Sequence, residues 1–327
     1  MTALMIYGAT GYTGRMTAEH AVAAGLDVVL AGRDETRVAG MAAELGVGYR
    51  VLGLDDRDEI ADAVADSTVL LNCAGPFART AEPLMTAAIR AGAHYLDIAA
   101  ELDSYHLAGA LDEEARAAGV LLLPGSGGSV AMLGCLAGRA SEGVGEVRSI
   151  RIALHVAGAM SRGSARSATE GLTTRCLRRV AGELVAQDPD RPRVFEFGDG
   201  PKTCFPTTLP DLITLWRATN APDIETYVHV SGDAFPGGDL ATLPEGPTAQ
   251  ERRRDRYQAA VEVTGADGTV GKYVLDTVNG YTFTPMAAAE AARRVLGGEY
   301  RPGFHTPAGL FGHGFVETLA DSRIVPL

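Results

Sequence analysis

Met5-Ile6-Tyr7-Gly8-Ala9-Thr10-Gly11-Tyr12-Thr13-Gly14-Arg15 is a short apolar run broken by three glycines at three-residue spacing. Met16, Ala18, Ala21, Val22 and Ala24 follow at helix-like positions, so the stretch reads as strand, tight turn and helix. Each glycine has its own physical reason. Gly8 takes turn conformations that a Cβ resists, Gly11 lets the backbone approach a pyrophosphate, and Gly14 lets the new helix pack against the strand. Thr10, Tyr12 and Thr13 complete the loop, whose amides at the helix start face the phosphate. The expectation is a dinucleotide site.

The second apolar run, Val28-Val29-Leu30-Ala31, ends in Gly32-Arg33-Asp34. A fold preferring NAD places a carboxylate at this strand end, against the ribose 2′-hydroxyl. Here a small residue leaves room for a 2′-phosphate, and the Arg33 guanidinium has the geometry to grip it and stack on the adenine. NADP(H) is therefore the expected cofactor. The alternative leaves Arg33 in solvent and gives the ribose to Asp34, which also suits a helix N-cap.

Composition narrows the class further. The chain has 327 residues, 46% of them hydrophobic, which is enough for one large or two ordinary domains. A net charge of −12 argues against nucleic acid or an anionic membrane as principal partner. Cys73, Cys135, Cys176 and Cys204 have neither C-x-x-C pairing nor metal-like spacing with histidine, so no metal is expected. No charged-then-apolar leader and no long apolar run is evident, and a cytoplasmic protein without a membrane span is the expectation. The basic run Arg252-Arg253-Arg254-Asp255-Arg256 reads as a solvated helix face or an interface.

Alternation of strands and helices continues to about residue 125. Strands are expected at Leu4–Tyr7, Val28–Ala31, Tyr49–Leu52, Val69–Cys73, Tyr95–Ile98 and Val120–Leu123, with helices near 13–24, 35–45, 57–65, 80–91 and 104–118. This is the βα repetition of a Rossmann-type, doubly wound parallel sheet. Longer strands follow at Val147–Val156, Arg193–Phe197, Glu225–Ser231, Ala259–Thr264 and Val270–Thr277, predicting a second, mixed-sheet α+β domain. Asp188–Pro192, Gly198–Pro206 and Pro236–Pro247 read as its loops.

Several motifs carry a family resemblance. The glycine turn, Ala31-Gly32-Arg33, Asn72-Cys73-Ala74-Gly75-Pro76-Phe77, His94-Tyr95-Leu96-Asp97 with Glu101, and Gly119-Val120 leading into Pro124-Gly125-Ser126-Gly127 together resemble the saccharopine dehydrogenase-like oxidoreductases. That family includes saccharopine reductase and the trans-acting enoyl reductases. The likeness is strong over residues 3–135 and weaker in Arg162–Gly171 and Gly303–Ala308. It implies an NADP-binding domain at 1–125, a substrate and dimerisation domain at 126–280, and a segment at 281–327 that returns to the first domain. Where many relatives carry Gly-Phe-Asp-Ser, this chain has Gly127-Gly128-Ser129-Val130.

Ligands of doubly wound sheets sit at the carboxyl ends of the strands, and the chemistry is sought there. Asn72, Cys73, Ala74 and Gly75 follow the fourth strand as a wall for the nicotinamide half of the cofactor. Cys73 lacks a nearby histidine or arginine to lower its pKa and suits a small hydrophobe better than a nucleophile. Tyr95 and Asp97 share one side of the fifth strand by alternation, and Glu101 follows in the loop. These three are the candidates for supplying the proton that accompanies hydride transfer; the competing reading makes them structural. His94, His305 and His313 suit polar packing. Arg162, Arg166 and Glu170 have i, i+4 spacing and read as an ion-paired face, with either arginine open to a substrate carboxylate. Trp216, Tyr227 and Phe235 are expected in the second core. Neither lysine, Lys202 or Lys272, has a tyrosine four residues before it, which excludes the Tyr-x-x-x-Lys pair of short-chain reductases.

The expected activity is NADPH-dependent hydride transfer to an activated C=C bond of a small or carrier-linked substrate held between the domains. Segments 125–135 and 158–165, small and apolar or hydroxylic, favour that over a charged imine. A saccharopine-reductase-like C=N reductase or amine dehydrogenase, and a non-catalytic NADP(H)-sensing protein, are the alternatives. A homodimer is the expected assembly.

Overall fold

The computed structural model describes residues 2–171, 175–232, 243–319 and 321–327. They fall into two compact units, residues 1–128 with 284–306 and residues 129–283 with 307–327.

The first unit begins with β1 (Thr2–Tyr7), α1 (Tyr12–Ala23), β2 (Val28–Gly32), α2 (Glu35–Leu45), β3 (Gly48–Val51) and α3 (Arg57–Val64). It continues with β4 (Ser67–Asn72), α4 (Phe77–Ala91), β5 (His94–Asp97), α5 (Leu102–Ala110), α6 (Asp112–Ala117) and β6 (Leu121–Leu123). Burial on both faces explains the uninterrupted apolar runs: Leu4, Ile6, Leu30, Val69, Leu70, Leu71, Leu96 and Leu121 to Leu123 are fully buried. All pairings are parallel, and the order runs β6-β5-β4-β1-β2-β3, with the short strand Gly303–Phe304 added beside β6. Strand order therefore reverses between β1 and β4, which puts the carboxyl ends Tyr7 and Asn72 side by side at the crevice where such folds bind ligands. The single helix expected over 104–118 is two, because the chain leaves helical geometry at Leu111, with φ −90° and ψ 2°.

The second unit contains α7 (Ser129–Ser141), β7 (Val147–Ala157), α8 (Arg162–Gly171), β8 (Leu177–Val180), β9 (Glu183–Ala186), β10 (Arg193–Glu196) and β11 (Pro201–Pro206). Then come α9 (Asp211–Thr219), β12 (Asp223–Ser231), α10 (Ala249–Arg254), β13 (Tyr257–Gly265), β14 (Val270–Thr277) and α11 (Gly280–Leu296), which from Thr284 onward belongs to the first unit. The chain ends with β15 (Gly303–Phe304), which pairs in the first unit, α12 (Pro307–Phe311) and β16 (Arg323–Pro326). The second sheet runs β10-β11-β12-β7-β13-β14-β16, with β8 and β9 attached at β12. It is mixed: β12 and β7 are parallel and the remaining pairings antiparallel. Gly198–Pro206, expected as a loop, is strand from Pro201 onward. Gly198 and Gly200 turn the chain at positive φ, and β11 then alternates buried Cys204 and Pro206 with exposed Thr203 and Phe205.

One face of this sheet, with Ile150, Ile152, Leu154, Val261 and Val263, packs on α7. The opposite face is banded by register. Glu225, Arg151, Glu262 and Lys272 form a charged row; Tyr227, Ala153, Ala260 and Val274 form an apolar row beneath Phe195 and Phe197; His229, His155, Gln258, Asp276 and Arg323 form a polar row across five strands.

Candidate functional site

The glycine turn is built as its spacing demands. Gly8 has φ +76°, and a Cβ there would lie 2.7 Å from the Cβ of Ala74, so this glycine is fixed by the loop after β4 as well as by the turn. A Cβ on Gly14 would fall 2.2 Å from the Gly8 carbonyl oxygen, which is the close helix-to-turn packing expected. Gly11 differs. A Cβ there meets only the Gly8 carbonyl, at 3.3 Å, so its lack of a side chain serves the open side of the turn. The Gly11 amide donates to Gly8 at 3.1 Å, and α1 starts with no side-chain cap and no acid in its first turn, leaving its positive end turned to the crevice.

At the end of β2, Arg33 is exposed. Asp34 is the N-cap of α2, one of its carboxylate oxygens accepting the Arg37 amide at 3.0 Å. That helix start swings the Arg37 guanidinium over the glycine turn, where it donates to the Thr10 carbonyl at 2.9 Å. Arg37 was not among the residues expected here; its signal is the i, i+4 spacing from Arg33 on the helix that Asp34 caps. Gly32 has a packing reason too, since a Cβ would sit 3.0 Å from Val38 Cγ2.

The wall after β4 is held from below. Buried Asn72 donates to Thr80 Oγ1 at 3.0 Å and to Tyr95 Oη at 3.1 Å, and its own oxygen accepts the Ala74 amide at 2.9 Å. Thr80 Oγ1 donates to the Ala74 carbonyl at 2.6 Å. Ala74 is thereby clamped against Gly8. Cys73 beside it donates its amide to Tyr7 at 2.8 Å, and burial pushes its thiol up to about 12, far from thiolate chemistry. Gly75–Pro76 is a cis peptide.

Tyr95 and Asp97 continue the same network: Tyr95 Oη donates to Asp97 Oδ2 at 3.0 Å, and Asp97 Oδ1 accepts the amides of Ala99 at 2.9 Å and Gly125 at 2.7 Å. Both residues are fully buried. Burial raises the Asp97 carboxyl to about 7 despite those donors, and it raises the Tyr95 phenol well above its ordinary value. Ser126 donates its amide and its hydroxyl to the Asp97 carbonyl, both at 2.7 Å, closing the loop after β6 onto β5. Only Glu101 of the three candidates is part-exposed; its carboxylate accepts the Ala100 amide at 3.0 Å and lies 3.5 Å from the amide of Phe77, the first residue of α4.

The other candidates fall elsewhere. His94 accepts the Leu121 amide at 3.1 Å and lies against Tyr300, ring centroids 4.0 Å apart and planes tilted by 44°. His305 lies 3.2 Å from the Pro302 carbonyl, and His313 lies 3.1 Å from Glu142 with its ring over Gly138. Arg162 donates through Nε to the Leu243 carbonyl at 2.8 Å; the side chain of Glu170 and the whole of Phe235 lie outside the described residues. Tyr227 is buried as expected, whereas Trp216 is 39% exposed with Arg179 over its ring at 4.2 Å: on a helix nine residues long its face turns outward, and the guanidinium covers it. The four cysteines are free thiols, and among the described residues no cluster of histidine, cysteine or carboxylate has the makings of a metal site.

A three-glycine turn at the switch point of a parallel sheet, an uncapped helix start and arginines at the end of β2 define a dinucleotide-binding Rossmann domain, and the open side of Gly11 fits a pyrophosphate. Residues 4–123, just over a third of the chain, match the family model of the saccharopine dehydrogenase NADP-binding domain. A trans-acting enoyl reductase of Mycobacterium tuberculosis is 34% identical over 117 residues, covering 32% of this chain and 28% of that protein. A second protein of that organism, bearing a provisional form of the same name, is 27% identical over 237 residues, 66% of this chain and 56% of the other. The chain thus spans less than two thirds of either relative. Apo saccharopine dehydrogenase (L-Glu forming) from Saccharomyces cerevisiae shares the fold with a TM-score of 0.67, covering 99% of this chain and 100% of that one at 13% identity.

Proposed function

We propose that the chain is an NADPH-dependent oxidoreductase that delivers hydride to an activated C=C bond of a small or carrier-linked substrate. The observation that carries it is the pairing of the glycine turn with Arg33 and Arg37: the turn accounts for a pyrophosphate and the arginines for a 2′-phosphate. Bound at this edge, NADPH supplies the hydride, and the chain supplies placement. Arg33 and Arg37 hold the 2′-phosphate, the first turn of α1 faces the pyrophosphate, and the clamped Cys73–Gly75 backbone gives the nicotinamide half a rigid wall. The half-buried Glu101 is the candidate to pass a proton, while Asp97 and Tyr95 brace the loops around it. The choice of an enoyl substrate is supported by the names of the mycobacterial relatives and by segments 125–135 and 158–165, whose one fixed charge is Arg162.

The test is NADPH oxidation, followed by absorbance, against panels of enoyl thioesters and of imines formed from amino and keto acids. Turnover on enoyl compounds supports the reading, and turnover confined to imines replaces it with the C=N alternative. Tight NADPH binding with no turnover on either panel favours a cofactor sensor.

A further inference from the structure

The polar row of the second sheet contains an ordered chain of hydrogen bonds outside the cofactor domain. His155 Nε2 lies 2.8 Å from Ser231 Oγ, and His155 Nδ1 lies 3.2 Å from Gln258 Oε1. Asp199, the carboxylate at the β10–β11 turn that pairs with Lys202, lies near the Gln258 side chain. The Gln258 amide presents its oxygen to the ring, and an amide oxygen only accepts. That orientation puts the imidazole proton on Nδ1 and leaves Nε2 as the acceptor of the Ser231 hydroxyl. Serine, histidine and glutamine thus come from three adjacent strands, β12, β7 and β13, with His155 in register with both His229 and Gln258. All three residues are half-buried, and Phe197 stands edge-on to the imidazole at 6.1 Å as an apolar flank.

We propose that Ser231 and His155 form an acyl-transfer dyad, oriented by Gln258 and acting on an activated carboxylic ester or thioester. Ser231 Oγ attacks the carbonyl carbon, its proton passes to His155 Nε2, and the bond to the leaving alcohol or thiol breaks as that group takes the proton. Water then attacks the acyl-serine, giving its proton to Nε2, and the carboxylic acid leaves with Ser231 restored. The base is suited to this work: burial lowers the His155 pKa, the neighbouring His229 and Lys202 charges lower it further, and Gln258 and Asp199 oppose them. Neutral imidazole therefore predominates at pH 7.

The experiment uses the full chain with a fluorophosphonate probe and 4-nitrophenyl acetate, reading the modified peptide by mass spectrometry. The expected result is one adduct, on Ser231, with a labelling rate that is flat at alkaline pH and falls in acid as His155 protonates, with its midpoint below the ordinary imidazole value of 6.5. His155→Ala should slow labelling by roughly 10²-fold or more, and Ser231→Ala should abolish it at unchanged melting temperature. Should Ser231→Ala fail to fold, Ser231→Cys keeps a nucleophile in place, and its acylation by 4-nitrophenyl acetate should remain dependent on His155. An unmodified wild-type chain after prolonged exposure, an adduct on another residue, or labelling indifferent to His155 overturns the proposal.

Discussion

At the scale of single residues, three glycines of one motif do three different jobs, and substitution should separate them. Gly14→Ala drives a methyl into the Gly8 carbonyl and should cost on the order of 1–3 kcal/mol of stability, read as a lowered melting temperature. Gly11→Val has no such internal collision; its chain should fold and fail to bind NADPH in a titration, and retained binding would reduce the turn to architecture. Arg33→Ala should weaken NADPH at least tenfold, about 1.4 kcal/mol, with NADH nearly unchanged, and Arg37→Ala should shift the same ratio in the same direction. Equal affinity of the unaltered chain for the two cofactors would remove the 2′-phosphate assignment.

Among elements, the carboxyl ends of β4 and β5 behave as one buried polar unit, and its members should respond differently to replacement. Tyr95→Phe leaves Asn72 and Asp97 short of a partner and should lower the melting temperature, since an orphaned buried polar group costs about 1–3 kcal/mol. Glu101→Gln should fold normally and, on a competent substrate, lower turnover by roughly 10²-fold or more if Glu101 passes the proton; normal turnover would direct attention to water. Much of this region was legible in the sequence. The β1 turn, the alternation of strand and helix to residue 123 and the Asp34 cap all follow from local rules. What stayed hidden was non-local. Nothing near residue 8 announces that Ala74 presses on it, and Arg37 gains its place only when α2 folds back over the turn. Helix α7 was missed because Gly134 and Gly138 interrupt its pattern, although they serve close packing against Ala308 and His313. Strand β11 was missed because prolines bound it.

Over the whole molecule, buried acids set the response to pH. Asp211, at the start of α9, is fully buried, and neither of its side-chain oxygens has a hydrogen-bond partner among the described residues. Burial lifts its carboxyl from 3.8 to about 7. Below pH 3.8 the group is neutral both folded and unfolded, and the folded state keeps its full advantage. Between 3.8 and about 7 only the unfolded chain ionises, so stability falls as pH rises through that window, by up to about 4 kcal/mol. Asp97 acts in the same direction, opposed in part by the amides it accepts. Melting temperature should therefore be lower at pH 8 than at pH 6, and Asp211→Asn should flatten that difference; an unchanged profile in the variant would assign the dependence to other groups.

The contact between Gly8 and Ala74 has a consequence for anyone redesigning the protein. Any side chain at 8 meets the Ala74 backbone nitrogen and Cα, at 2.8 and 2.9 Å, as well as its Cβ, and needs a left-handed backbone too, so trimming residue 74 does not make room for it. The obstacle is main chain from the loop after another strand, so mutagenesis will score Gly8 as immutable whether or not the ligand needs it. No side-chain change at 74 removes that backbone, so the fold by itself accounts for Gly8, and it is replacement of Gly11, on the open side of the turn, that reports what the ligand requires.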